Sequence, residues 1–171
     1  MDQSTFKNTV FILKDKLYRF AKSMLKDEED AFDLVQEMLL KFWQNRDELS
    51  KVNNIEAYAM RCVRNEIVNK SRHAKVVQLF QNQLFERVQD AEYPAMTKEI
   101  ILKLINDLPE KQKAVIHLRD VEEYEIAEIK EVLGMEENAI RSNLMRARNK
   151  VKFELQKIFD YEKGQINRIG R

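Results

Sequence analysis

Between positions 138 and 157, Arg141, Arg146, Arg148, Lys150, Lys152 and Lys157 face a single carboxylate, Glu154. Cations repeated at helical spacing bind phosphates, and an arginine early in a helix can read a guanine edge through two hydrogen bonds. The preceding stretch, 120–137, is opposite in sign. It carries eight carboxylates, among them Glu122, Glu125 and Glu136, against Lys130. A short acidic helix, a turn at Gly134 and then a basic helix make the layout of a helix-turn-helix. The second helix would lie in a DNA major groove, offering Arg141, Ser142 and Met145 early and phosphate-seeking cations later. The same composition also describes an ordinary solvated helix.

The contrast recurs nearer the start. Within 61–75, Arg61, Arg64, Lys70, Arg72 and Lys75 stand against Glu66. With the amides of Asn65 and Asn69, that face suits a DNA backbone and a splayed base. The carboxylates and amide of Asp33, Gln36 and Glu37 suit a protein partner instead. A solvated face is the plain alternative for each.

Other chemistries lack their residues. The single cysteine, Cys62, has no internal partner, and His73 and His117 share no metal-ligand spacing. No nucleophile–base pair or phosphate loop points to an enzyme, and no cofactor is expected. The N-terminal stretch is broken by charges, and no uncharged run approaches a membrane span, so a cytoplasmic protein with no membrane insertion of its own is expected. The net charge of +1 argues against a protein that coats nucleic acid by electrostatics alone.

The elements that must hold these residues are helical. Three glycines and two prolines in 171 residues compare with roughly 20 in an average chain. Sheets need turn residues far more often, so the fold class is all-α. Apolar spacing predicts a first helix from Phe6 to Met24 with Ser4 as its cap, and a second, after the acidic turn 26–30, through Leu34, Met38 and Phe42. A third, opened by Asn53 and Asn54, would turn Ile55, Tyr58, Ala59, Cys62, Val63 and Ile67 inward. Residues 76–96 read as a linker, in which Val77, Phe80, Leu84 and Val88 could form one weak amphipathic helix before Pro94. Further helices follow from Thr97, from Pro109 at a first turn, through Ile126–Gly134, and from Ile140 to Ile158, leaving a frayed tail. The expected architecture is two small helical domains, 1–75 and 97–160, joined by the linker 76–96 and followed by a tail, 161–171.

At this point the residues resemble a known family. D-A-F-D-L-V-Q-E-M-L-L-K-F-W (30–43) resembles the D-A-E-D-L-V-Q-E-x-F-L-x-x-W signature of region 2 of bacterial RNA polymerase sigma factors. I-E-A-Y-A-M-R-C-V-R-N-E-I-V-N-K-S-R (55–72) is similar to the segment that follows it there. L-P-E-K-Q-K-A-V-I-H-L-R-D-V (108–121) and L-G-M-E-E-N-A-I-R-S-N-L-M-R-A-R (133–148) resemble region 4. Four motifs in register, with no other region between, are similar to the extracytoplasmic-function (ECF) type of the sigma-70 superfamily.

The resemblance implies a factor that binds core RNA polymerase, directs it to specific promoters and helps to open the DNA. Asp33, Gln36, Glu37 and Lys41 would dock on the clamp helices of the largest polymerase subunit. Arg61, Arg64, Asn65, Asn69 and Arg72 would bind the −10 element, with Asn65 first in line to hold an unstacked base. Asn138, Arg141, Ser142, Met145, Arg146 and Arg148 would serve the −35 element. It also implies weak binding of duplex DNA by the free factor, and an anti-sigma protein that holds the factor inactive. Two other readings use the same residues: a helix-turn-helix regulator that does not dock on polymerase, and a degenerate helical interaction paralogue.

Departures from the family pattern set further expectations. Phe32 stands in place of Glu, Tyr58 of Trp, Asn69 of Asp and Asn143 of Arg. In the helix-turn-helix, Glu123 replaces a turn Gly, Glu125 and Glu136 replace cap Ser, and Lys130 replaces a small Ala. Lys130 must therefore snorkel outward or splay the two helices.

Overall fold

The computed structural model describes the backbone of residues 1–25, 27–78 and 96–169, and the side chains of 1–25, 27–70 and 99–160. The described residues form helices and connecting turns, without a strand. Of the expected linker 76–96, residues 76–78 continue α5 and Met96 begins α6; residues 79–95, with most of the weak amphipathic helix, lie outside the described residues.

The first predicted helix is broken. Helix α1 (Gln3–Thr9) is capped by Asp2, whose carboxylate accepts from the Thr5 backbone N–H at 2.7 Å, and not by Ser4. A 3₁₀ turn (Phe11–Leu13) then leads into α2 (Lys14–Met24). The apolar rhythm runs through the break, because Phe6, Val10 and Leu17 all reach the same core. Helix α3 (Glu28–Gln44) starts at Asp27, whose side chain accepts from the N–H groups of Glu29 and Asp30. Three carboxylates in its first turn sit where the helix dipole favours them. The one-turn helix α4 (Arg46–Leu49) turns the chain back. Helix α5 (Ile55–Gln78) begins where the Asn54 side chain accepts from the N–H of Ala57. Phe20, Leu34, Met60 and Val63 are fully buried between these helices. Tyr58, expected inside, is 41% exposed and lies on the edge of Phe42; Met60 takes its place in the core.

The second bundle comprises α6 (Met96–Asn106), α7 (Glu110–Ile116), a π-helical turn (His117–Val121), α8 (Ile126–Leu133) and α9 (Glu137–Ile169). Thr97 falls inside α6 rather than at its cap. Gly134 ends α8 at φ +63°, the left-handed conformation that glycine tolerates best. Helix α9 continues to Ile169, through the stretch expected to fray.

The two bundles share one apolar core. Helices α2 and α5 of the first pack on α7, the π turn and α8 of the second. Phe20 meets the His117 ring at 5.9 Å across that junction.

Candidate functional site

The acidic face of α3 forms as the spacing requires. Ala31, Leu34, Val35, Met38, Leu39 and Phe42 point into the core, which leaves Asp33, Gln36, Glu37 and Lys41 together in solvent. Leu40 lies in the middle of that face with 57% of its surface exposed. An isolated exposed leucine is unremarkable, but this one sits inside a ring of polar groups, the pattern of a binding surface. Its helical register with Asp33 and Glu37 was the signal available in the sequence. Phe32 borders the same face, 45% exposed, with its ring edge-on to Tyr18 at 6.3 Å.

On α5, Arg61, Asn65 and Asn69 are exposed and Arg64 is half-buried; the Arg72 side chain lies outside the described residues. These groups do not all face open solvent. The Arg61 guanidinium donates to the backbone carbonyl of Glu131 at 2.9 Å. Arg64 lines a small cavity with Ile67 and Val68 on one side and Leu133, Gly134 and Met135 on the other. Its guanidinium also donates to the Asn65 side-chain oxygen at 3.0 Å. One edge of the basic face is thus against α8, while Asn65 and Asn69 look outward.

Helix α9 presents the opposite arrangement. Ile140, Leu144, Ala147 and Val151 form its buried seam, and Asn138, Arg141, Ser142, Met145 and Arg146 are exposed on the surface away from it. Met145 is 60% exposed. Asn149, four residues beyond Met145, extends this face by a turn. Arg148 is on the flank. Its guanidinium grips the Asp120 carboxylate with two hydrogen bonds, the longer 2.9 Å. That ties α9 to the π turn, so Arg148 holds the helix in place within the described structure.

The departures in the helix-turn-helix are accommodated rather than disruptive. Lys130 snorkels: its ammonium reaches Glu136 at 3.3 Å, and Ile129, Val132 and Leu133 still bury against α9. The Glu125 N–H donates to the Glu128 carboxylate at 2.8 Å, the N3 arm of a capping box at the start of α8. Glu123 holds φ +62° without being glycine.

The junction between the bundles carries buried polar groups that the sequence did not single out. Glu122, with its side chain 1% exposed, accepts two hydrogen bonds from Arg19 at 2.8 and 2.7 Å. The His117 Nε2 lies 3.4 Å from the same carboxylate. Burial disfavours the charge on Glu122, but His117 and Arg19 more than offset this and hold its carboxyl at about 2. Beside it, Lys16 donates to Glu56 at 2.7 Å and lies over the Tyr124 ring at 5.1 Å. Burial and the Glu56 carboxylate push the Tyr124 hydroxyl above its ordinary range. The π turn builds this cluster: the Glu122 N–H donates to the His117 carbonyl, five residues back, and this wider coil brings both side chains to one side. Among the described residues no group of histidines, cysteines and acids is arranged to hold a metal ion, and no helix is long and apolar enough to cross a membrane.

Comparison with known proteins points one way. Residues 12–76 match the family model Sigma-70 region 2, and residues 98–151 match Sigma-70, region 4. The chain is 24% identical over 144 residues to RNA polymerase sigma factor SigV of Bacillus subtilis, covering 84% of this chain and 87% of that protein. It is 27% identical over 152 residues to the RNA polymerase sigma-E factor of Streptomyces avermitilis, covering 88% and 85%. ECF RNA polymerase sigma factor SigW of Bacillus subtilis is 24% identical over 170 residues, covering 91% of each. Among solved structures, the sigma factor RpoE of Bartonella quintana, in complex with the anti-sigma factor NepR, shares the fold with a TM-score of 0.76 at 24% identity, covering 89% of this chain and 97% of that one.

Proposed function

Since the chain belongs to the sigma-70 superfamily of bacterial RNA polymerase sigma factors, of the ECF type, we propose that it divides its work among three exposed helical faces. As a sigma factor it binds core RNA polymerase and directs it to promoters. The face of α3 centred on Asp33, Gln36, Glu37 and Leu40 is the one that docks on polymerase. Its apolar centre in a polar ring provides affinity from Leu40 and register from the acids and amide. The outer face of α5 takes the −10 element. Asn65 and Asn69 offer donors and acceptors to an unstacked base while Arg61, Arg64 and Arg72 neutralise phosphates. The exposed face of α9 takes the −35 element, with Arg141 and Ser142 at base edges.

One observation carries this reading. Asp33, Gln36, Glu37 and Leu40 on α3, Asn65 and Asn69 on α5, and Arg141 and Ser142 on α9 are exposed on helices whose opposite sides are core. Members of the family are not enzymes in general, and the same is proposed for this chain, which works on nucleic acid by binding. Its site is proposed to be the cytoplasm, where its polymerase is. An anti-sigma protein is a further proposed partner, by analogy with the RpoE–NepR complex. With a net charge of +1, the free factor is expected to bind duplex DNA weakly at physiological salt.

Run-off transcription with purified core polymerase tests the assignment. Asp33→Ala with Gln36→Ala should remove initiation by removing polymerase binding. Arg141→Ala should leave polymerase binding intact and lower promoter-specific initiation. Equal loss of polymerase binding in both variants would contradict the division of roles.

A further inference from the structure

The exposed side of α9 can read base edges only if the helix keeps one rotation about its own axis. Side-chain ends lie about 5–6 Å from a helix axis, so a roll of about 20° carries them about 2 Å, beyond the tolerance of a hydrogen bond. The buried seam of Ile140, Leu144, Ala147 and Val151 is apolar, and apolar burial carries no directional bond. A polar attachment supplies the direction. Arg148 donates from Nε and Nη2 to the two carboxylate oxygens of Asp120, the longer bond 2.9 Å. Such a paired contact fixes orientation as well as distance. Asp120 is itself a fixed point. It belongs to the π turn, where Leu118 is fully buried and its carbonyl accepts from the Tyr124 N–H at 2.9 Å.

We infer that Arg148 is a positioning residue for −35 recognition: through Asp120 it sets the roll of α9, and with it base discrimination, without itself contacting DNA. The inference rests on the reading that α9 serves the −35 element. Two features carry it. Arg148 and Arg141 are seven residues apart, nearly two full turns, so they share one flank of α9. A clamp on the first therefore orients the second and the neighbouring Ser142 and Met145. And the Nε–Nη2 edge of Arg148, one that could grip a phosphate, is already spent on a carboxylate. The family resemblance counts Arg148 among the −35 contacts; the geometry gives it to the protein side of the helix instead. A recognition helix must be held to within about 10–20° by groups that are not themselves reading bases, and this pair meets that need from outside the apolar seam.

The test uses the full chain assembled with core polymerase. Duplex DNA captured from a randomised library gives the preferred sequence. That duplex and one with its −35 half scrambled are the two probes, and the ratio of their dissociation constants measures discrimination. The variants are Asp120→Ala and Arg148→Ala, with Asp120→Glu, which keeps a carboxylate, as the rescue; circular dichroism verifies that each is folded. The expected result is discrimination about tenfold lower in both alanine variants, comparable to the loss of one good base contact, and recovery of most of it in Asp120→Glu. A direct phosphate contact by Arg148 predicts the opposite for Asp120→Ala. That change frees the guanidinium and removes a negative charge beside the DNA, so both probes would bind more tightly with discrimination intact. Loss in Arg148→Ala but not in Asp120→Ala therefore overturns the inference. So does a fall in thermal stability of both variants with discrimination unchanged, the mark of a purely structural pair. Arg141→Ala in the same assay separates these failures from failure of the underlying reading. If it too leaves discrimination unchanged, α9 does not read the −35 element.

Discussion

Arg19 on α2 and Glu122, the residue that caps the π turn, are 103 residues apart in the chain, yet they meet side by side through two hydrogen bonds of 2.8 and 2.7 Å. They join the region 2 bundle to the region 4 bundle by a charge pair with one member in the core. Much of what is specific to this chain follows from that pair and its neighbours.

The pair makes stability depend on acid. Glu122 has its carboxyl held at about 2 in the folded chain against an ordinary 4.5. A carboxyl with a depressed folded value contributes its full stability above pH 4.5 and loses it as the pH falls through the interval from 4.5 to about 2. At 1.36 kcal/mol per unit, the contribution is about 3 kcal/mol as an upper bound. Thermal unfolding followed from pH 7 to pH 3 should show a steep decline below pH 4.5. Glu122→Gln should start less stable and decline less.

Two positions with left-handed backbone should respond to substitution in opposite directions. Glu123 is at φ +62° and Gly134 at φ +63°. The conformation costs an L-residue about 1–2 kcal/mol, part of which glycine returns as chain entropy. Glu123→Gly should stabilise the chain by about 0.5–1 kcal/mol. Gly134→Ala should destabilise it by about 1 kcal/mol, from the backbone alone, since a Cβ there would meet nothing within 4 Å. Denaturant midpoints measure both.

Lys130 should be nearly silent. Its contact with Glu136 is on the surface, and exposed pairs of this kind are worth about 0–1 kcal/mol. Lys130→Ala should shift stability by less than about 0.5 kcal/mol and leave promoter binding by the holoenzyme unchanged, as chemical denaturation and a mobility-shift titration would show.

Arg141 and Arg148, two turns apart on one helix, should separate cleanly. Arg141 is exposed, with only a 3.4 Å contact to Glu137, whereas Arg148 is gripped by Asp120. Arg141→Ala should lower promoter discrimination by about 1–3 kcal/mol with little change in stability. Arg148→Ala should lower stability by about 1 kcal/mol through loss of the clamp on the π turn.

The fold was legible where the signal was local. The acidic stretch 26–30 pointed to the start of α3, although its residues from Glu28 form the first turn of the helix and not a turn before it; Asn54 marked the start of α5, and Gly134 the turn between α8 and α9. Apolar spacing placed the seams of α3 and α9 correctly. What escaped was set by tertiary context. The break in the first helix at the 3₁₀ turn leaves the apolar rhythm intact, so periodicity did not register it. Tyr58 has an inward position by spacing but packs on the rim beside Phe42. The junction at Glu122 was invisible because its partners come from distant segments, and because a π turn aligns residues that α-helical spacing would separate. Among the candidate interface residues, charge patterning found the cations and acids. Leu40 and Asn149 are not in that set, although helical register places both on the same faces.

The central claim is that this chain grips core RNA polymerase through the exposed face of α3, and direct binding tests it most simply. Purified chain and core polymerase, mixed and run by analytical ultracentrifugation, should form a one-to-one complex. Leu40→Ala, at a position 57% exposed, should weaken that complex about tenfold, equivalent to 1.4 kcal/mol, without lowering the stability of the free chain. Sedimentation of the wild-type chain apart from the polymerase, at concentrations where known sigma factors associate, would contradict the account.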